Sequence, residues 1–592
     1  MTNKRHVVEE LYQRALIENL LQVARWTNRD HLFGNLRLAA ATAFVLVLLG
    51  SIFGSWWSLY WLLLPFTTFV FLAFAHNRVA DNRYTAECVV KLYKRSLSRL
   101  NHTWHGGGVT GTAFLGAAPL YGADIDIFGQ GSLFELLCNA RTTTGQSLLA
   151  DRLSTLPSLE EVRQRQGSIR TLSEDLSFRE RLSTCGKSLT RPIDTSGLAR
   201  WSESAAVPAA KSQIAIASAL ICLFVVGLVV MAVYRNYDIA TTAALLSLLF
   251  QRFSARRILL ASSYVAKRES DMIAILQLCR AVARIEPKGD VRLEHIRSTL
   301  DGAIEPIERL RILIAFRQIT NNQIGIIIGS IFQAPFFSGA AIERWHANHR
   351  GIVTVWTDAI ADFEVLTDLA TFAYENPEYA YPDVVENTVR FEADDLAHPL
   401  LPLTAVGNSL SLNEETRLLV LSGSNMSGKS TLMRAMGVNL VLAMTGAPVR
   451  ARKCSVSIMA PAVSIRTQDS LHDGVSRFYA EITRLSKIAE LSGSTPCLFL
   501  LDEILSGTNS FARQIGAQSI VSKLLKNGSI GIISTHDLAL EHIADMVPGS
   551  KNVHLDDQVV DGKLSFDYIL KPGFVTTSNA VELMRAVGLD IT

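Results

Sequence analysis

The sequence predicts an α/β domain of the P-loop class at the C-terminus, preceded by a mainly α-helical region that carries two transmembrane helical hairpins. Three observations lead there. A glycine-rich loop with the spacing G-x-x-x-x-G-K-[ST] follows an apolar strand candidate at Leu418 to Leu421. A second apolar run, Cys497 to Leu501, ends in two adjacent carboxylates, the pattern of a buried parallel strand that delivers acids to a site. Two stretches in the first half are apolar enough, for long enough, to cross a hydrocarbon core.

A chain of 592 residues is long for one core, and several units are expected. The formal net charge of +2 excludes a global basic field, so any nucleic-acid contact must come from local patches. The seven cysteines are scattered and show no C-x-x-C spacing, which fits a reduced, cytosolic setting without structural zinc.

Val7 to Trp26 reads as a charged amphipathic helix rather than a leader. No Lys, Arg, Asp or Glu then occurs between Arg37 and Arg78, so Leu38–Phe53 and Trp56–Ala75 form the first hairpin, with Trp56, Trp57, Tyr60 and Trp61 near the far interface. The second combines Ile214–Val233 with a weaker span, Ile239–Phe250. Basic residues flank both on their outer ends: Arg25, Arg29, Arg37, Arg78 and Arg83 for the first, Lys211, Arg252, Arg256 and Arg257 for the second. The positive-inside tendency places those ends, and the C-terminal domain, on the cytosolic side of a multi-pass cytoplasmic-membrane protein. Expected boundaries are 1–36 (amphipathic helix), 37–77 (first hairpin), 78–210 (helical), 211–252 (second hairpin), 253–389 (helical) and 390–592 (α/β).

Gly106 to Gly108 reads as a turn. Leu133 to Leu172 predicts two amphipathic helices joined at Leu156-Pro157-Ser158. Farther on, Met272, Ile275, Leu276, Cys279 and Val282 mark the core-facing stripe of a helix.

The loop itself is Gly423-Ser424-Asn425-Met426-Ser427-Gly428-Lys429-Ser430-Thr431. Its glycines let N–H groups turn onto phosphates at a helix N-terminus, Lys429 reaches the β- and γ-phosphates, and the Ser430 hydroxyl suits Mg²⁺. Asp502 would hold Mg²⁺ through water and Glu503 would polarise the attacking water, which makes the domain a P-loop NTPase binding ATP and Mg²⁺. A third strand, Ile530 to Ser534, leads into Thr535-His536-Asp537, where His536 can sense the γ-phosphate.

Asn425-Met426 within the loop resembles the MutS family of DNA-repair ATPases, whose ATPase domain is of the ABC type. So do Asp469-Ser470-Leu471, Gly474, Ser476, Phe478 and Glu481, which are similar to its signature segment. The resemblance implies that Ser476 acts in trans on the partner subunit's nucleotide, in a homodimer with composite ATP sites. Gly507-Thr508-Asn509-Ser510 resembles the family's interface loop, with Ser506 where an arginine is usual and Ala512 at an acidic position. Ala397-His398-Pro399-Leu400 and Asn408 are similar to residues that touch adenine. The tail from Phe566-Asp567-Tyr568 through Pro572-Gly573 to Ala580 and Gly588 also resembles the family. The match is strong over 390–592; at 130–175 it rests on the Thr142-x-x-Gly145 turn, Pro157 and Arg165. Position alone likens 254–375 to the family's lever helices. The mismatch-reading wedge, Phe-x-Glu, has no counterpart before residue 130, so the chain resembles a short, membrane-anchored MutS-related subfamily and should not read mismatches that way.

Two functions follow from the resemblance and the hairpins. One is an ATPase whose dimer clamps branched or damaged DNA, with Arg163, Arg165, Arg170, Arg179 and Arg181 as candidate phosphate contacts. The other is a membrane-tethered ATP-driven switch acting on protein or lipid. An ABC transporter fits poorly: Lys429 to Ser476 is too short for the transporter's helical subdomain, and Val475-Ser476-Arg477-Phe478 is not Ser-Gly-Gly-Gln.

Overall fold

The computed structural model describes residues 3–53, 58–175, 177–186, 191–320, 329–386, 388–424, 426–465, 477–536, 542–560 and 563–574. The longer helices are α1 (Asn3–Phe53), α2 (Leu63–Leu100), α3 (Thr143–Arg152), α4 (Leu159–Ser173), α5 (Lys211–Tyr234), α6 (Asp238–Phe253), α7 (Glu269–Ala283), α8 (Val291–Thr320), α9 (Ala334–His349) and α10 (Ile352–Glu375). Strands β1 (Asp383–Val385), β2 (Phe391–Leu396), β3 (Asn408–Leu412) and β4 (Leu418–Gly423) come next, then α11 (Lys429–Thr445). After these follow β5 (Lys453–Ser457), β6 (Ala460–Ser464), α12 (Arg477–Ser494), β7 (Cys497–Asp502), α13 (Ser510–Lys526), β8 (Ile530–Thr535), β9 (Ser550–Val560) and β10 (Lys563–Pro572).

The strands make a small sheet in the order β1-β5-β2-β3 and a six-stranded sheet in the order β10-β9-β4-β8-β7-β6. In the large sheet β9, β4, β8, β7 and β6 are parallel, and only β10 runs antiparallel. Alternation along the strands fills two cores. Leu419 and Leu421 of β4, with Leu498 and Leu500 of β7, face α11 and the helical region. Leu418, Val420, Phe499 and Leu501 face the other way, onto Leu485 and Ile488 of α12 and Val521 and Leu524 of α13. Parallel strands covered on both faces read as continuous apolar runs, which is why β4, β7 and β8 are visible in the sequence.

The helical region is organised around α10, whose buried carboxylates serve as acceptors for distant backbone. Asp368 accepts N–H bonds from Asn139 (3.0 Å) and Ala140 (3.2 Å). Glu364 accepts from the N–H of Arg141 (2.9 Å) and Thr142 (3.3 Å) and from the Thr142 hydroxyl. Burial pushes the Asp368 carboxyl up to about 8. Thr142 also caps α3, its hydroxyl accepting from Gly145 N–H. A Cβ at Gly145 would lie 2.2 Å from Glu364 Oε2, so no side chain fits there. Gly145→Ala is expected to destabilise the protein by about 1–3 kcal/mol, read as a lower midpoint in urea unfolding.

Two expected boundaries fall inside helices. The α1 helix runs unbroken through position 37, because no proline or stop signal separates its charged and apolar parts, and α2 runs through position 77 to Leu100. These two helices pack along each other, joined by Arg83–Asp30 (2.5 Å) and His76–Asp30 (3.4 Å). Leu133–Leu172 holds three helices rather than two, since Leu133–Leu137 ends before Thr142 opens α3. The small sheet begins at Asp383, before the expected start at 390. Among the described residues three helices are long and apolar enough to cross a membrane: Lys4–Phe53, Tyr60–Leu100 and Lys211–Tyr234. The weaker span is α6, only 16 residues long, antiparallel to α5 and tied to its base by Gln213 Nε2 donating to Ser254 O (2.8 Å). Trp56 and Trp57 lie outside the described residues, while Tyr60 and Trp61 are exposed.

Candidate functional site

The C-terminal ends of β4, β7 and β8 bring the expected residues to one edge of the sheet, the place where open α/β sheets bind ligands. After β4 the chain reverses at Gly428, whose φ of +99° is costly for any other residue, and α11 starts at Lys429. Lys429 Nζ donates to the carbonyls of Gly423 (2.6 Å) and Ser424 (2.9 Å). Burial lowers its pKa, opposed by the nearby charges of Glu503 and Asp502.

Asp502 closes the site from β7. It accepts from Ser430 Oγ at 2.5 Å and from the Ser534 hydroxyl of β8. Ser534 Oγ in turn accepts from Glu503 N–H (3.1 Å), so one β8 hydroxyl fixes both acids. Glu503 itself sits at φ +46°, a left-handed conformation that costs energy in a residue with a Cβ. Its Oε1 lies 3.2 Å from His536 Nδ1. A hydroxyl–carboxylate pair, a buried ammonium and a carboxylate coupled to imidazole thus share one edge.

The residues present suit Mg²⁺ and a nucleotide phosphate. Ser424 and Ser427 have buried hydroxyl oxygens with no hydrogen-bond partner, on a loop that turns directly into a helix N-terminus. Ser430 and Asp502 are the oxygen donors a magnesium ion takes. Met426 is 85% exposed at φ +77°, while Asn425 lies outside the described residues.

Beside the loop is a cleft of about 330 Å³, lined by His398, Asn408, Ser427, Thr431, Leu432 and Tyr568 among others. Burial lowers the His398 pKa to about 4, so the ring is neutral at physiological pH. Asn408 lines this cleft and also bonds the neighbouring strand. Its amide donates to Tyr568 O (2.9 Å) and its carbonyl accepts from Leu570 N–H (2.7 Å). Asn408 therefore holds β10 in place, and Tyr568 takes the position over Gly428. Only the tail's family likeness pointed to Tyr568.

The loop after Glu503 is held from outside the motif. Glu481, buried on α12, accepts from Leu505 N–H. Arg513 donates to the carbonyls of Leu505 and Ser506 (3.1 Å each), and Asn509 caps α13 by accepting from Ala512 N–H (2.8 Å). Phe478 packs against Gly507. Asp469, Ser470, Leu471, Gly474, Ser476, Ala580 and Gly588 lie outside the described residues.

Of the arginines offered as phosphate contacts, Arg165 and Arg179 are buried, while Arg163 and Arg170 are exposed. Arg165 is buried and paired with Glu161, and burial lowers its pKa to about 10. Arg179, also buried, lies over Tyr374 (4.5 Å) and donates to Tyr12 Oη (3.4 Å). Arg170 stacks on Tyr381 (4.4 Å), Arg163 donates to Val384 O (3.4 Å) and Arg181 donates to Ser177 Oγ (3.4 Å). Helical spacing alone does not separate such a packed face from a solvated one.

Comparison with known proteins agrees with this geometry. Residues 419–590 match the family MutS domain V. A "DNA mismatch repair protein MutS 2" of Halobacterium salinarum is 29% identical over 254 residues, covering 42% of this chain and 28% of that protein. A "DNA mismatch repair protein MutS" of Natronomonas pharaonis is 30% identical over 236 residues (39% and 27%). One of Nitratidesulfovibrio vulgaris is 32% identical over 188 residues (31% and 21%). The chain thus spans less than a third of the length of these relatives.

Proposed function

We infer, from the premise that the chain belongs to the MutS family by its C-terminal domain V, that it binds and hydrolyses MgATP and that ATP drives its dimerisation. The observation that carries this is the shared edge where Lys429, Ser430, Asp502, Glu503 and His536 meet. Lys429 exchanges its carbonyl partners for phosphate oxygens. Ser430 and Asp502 hold the metal, which when bound neutralises charge on the β- and γ-phosphates. Glu503 orients and polarises the attacking water, and His536 reports the γ-phosphate through Glu503. His398 and Tyr568 line the cleft for the base.

Ser476 acts in trans, so each site is completed by the partner subunit. Mixing Ser476→Ala with Lys429→Ala tests this. Each homodimer is dead, whereas the heterodimer pairs an intact loop with an intact Ser476 at one site. Partial recovery of ATPase on mixing is expected; full recovery at two sites, or none, would contradict action in trans.

The relatives' names tie the family to DNA mismatch repair, and a clamp on branched or damaged DNA is the reading that keeps this link. A second reading, a membrane-tethered switch acting on protein or lipid, is favoured by a specific observation. Two of the five arginines, Arg165 and Arg179, are buried against Glu161 and Tyr374, while the three apolar helices project exposed Leu, Val and Phe side chains. In both readings the α1–α2 and α5–α6 hairpins enter the cytoplasmic membrane and return, so that the ATPase domain is cytosolic.

A further inference from the structure

The cleft beside the phosphate loop is walled on one side by the connection between β2 and β3, which contributes His398 and Leu401. Pro399 and Pro402 bring no N–H to this connection, so fewer of its own backbone bonds can hold it. One side chain from outside gathers it. Arg450 is 6% exposed, and its guanidinium donates to the carbonyls of His398 (2.7 Å), Leu401 (2.6 Å) and Pro402 (2.8 Å). The planar fork of an arginine serves several acceptors in one fixed geometry. The Arg450 backbone extends the hold. Its carbonyl accepts from Ala397 N–H (2.9 Å), and its N–H donates to Asn439 Oδ1 (2.8 Å). Asn439 Nδ2 in turn donates to Ala397 O (2.9 Å) from a buried position on α11, the helix that begins at Lys429. The base side and the phosphate side of the cleft are thereby tied to one helix, at points ten residues apart, or about 15 Å along its axis.

We propose that Arg450 is a positioning residue for the nucleotide: through the loop carbonyls it sets His398 and Leu401 against the base, in register with Lys429 and Ser430 at the phosphates. The proposal rests on the reading of this cleft as the ATP site. Arg450 stands behind the loop rather than among the residues lining the cleft, so it acts through the loop. Leu401, Leu403 and Val406 are exposed, and a segment so placed would otherwise have to be ordered by the ligand at the ligand's expense in affinity. With Arg450 in place the ordering precedes binding. Its charge, with that of Arg434, also adds to the burial that keeps His398 neutral.

Arg450→Ala should still fold. Val449 and Ala451 stay fastened to Ala380, whose N–H donates to both their carbonyls (3.1 Å each) and whose carbonyl accepts from Val449 N–H (2.8 Å). Leu401 and Pro402 are exposed, so their carbonyls can turn to water. The experiment is steady-state ATP hydrolysis by the detergent-purified full chain, wild type against Arg450→Ala and Arg450→Lys, with a thermal scan of each. In Arg450→Ala the KM for ATP is expected to rise about 10-fold with kcat within about 2-fold, because the phosphate, metal and water-activating residues are untouched. Arg450→Lys keeps the charge and reaches part of the carbonyl set, so its KM should rise only about 3-fold. A global loss of structure would instead lower kcat through the active fraction. An unchanged KM in Arg450→Ala, or a fall in kcat in place of the rise in KM, would overturn the proposal. Should Arg450→Ala melt below the assay temperature, Arg450→Lys carries the test by the same two criteria. Wild-type protein that hydrolyses no ATP would remove the nucleotide reading itself, whereas an active wild type with an unmoved KM in the variants removes only the role of Arg450.

Discussion

Lys429→Ala is expected to weaken ATP binding by on the order of 10²-fold, since a charge-assisted hydrogen bond contributes about 1.5–3 kcal/mol and the ammonium serves two phosphates. Lys429 is the one cation the described loop presents, and its partners are two carbonyls of the same loop. Those carbonyls can turn to water, so the variant should melt close to the wild type. Calorimetric titration with ATP checks the affinity, and a thermal scan separates lost binding from lost folding. Normal affinity in the variant would remove the loop from the nucleotide site.

Glu503→Gln is expected to keep ATP affinity and to lower turnover by about 10²–10⁴-fold, the usual worth of a positioned general base. The amide keeps the shape of the carboxylate. It retains the bond from its own N–H to Ser534 and the left-handed turn at φ +46°, while the acceptor charge beside His536 is lost. Because hydrolysis ends the ATP-bound state, the variant should accumulate as a dimer on sizing in detergent. Single-turnover measurements separate chemistry from release. Unchanged turnover would assign the base elsewhere, and a persistently monomeric ATP-bound species would undo the composite site.

Short-range pattern revealed the sheet edge because its parts are short-range: an apolar strand, a fixed glycine spacing and paired acids on one chain end. Ser534 illustrates the limit. It reads as the last polar residue of an apolar run, yet its hydroxyl joins Asp502 to the Glu503 backbone across neighbouring strands. Glu481 and Tyr568 are similar, since what they hold lies 24 or more positions away or on another strand. The arginine run shows the converse limit. Its charges follow helical spacing, but Arg179 is buried against Tyr12 of α1 and Tyr374 of α10, partners that leave no local trace. Likewise the bond from Arg99 to Glu375 (2.5 and 2.6 Å), which roots the first helical pair in the end of α10, spans 276 positions and leaves no local trace.

Steady-state ATPase activity of the detergent-purified full chain tests the central claim most directly, with homoduplex, mismatched and branched DNA titrated at two salt concentrations. Magnesium-dependent hydrolysis that Glu503→Gln removes is expected, with stimulation by branched DNA that falls as salt rises. Hydrolysis indifferent to every DNA would move the engine to a membrane partner. No hydrolysis under any condition would contradict the account.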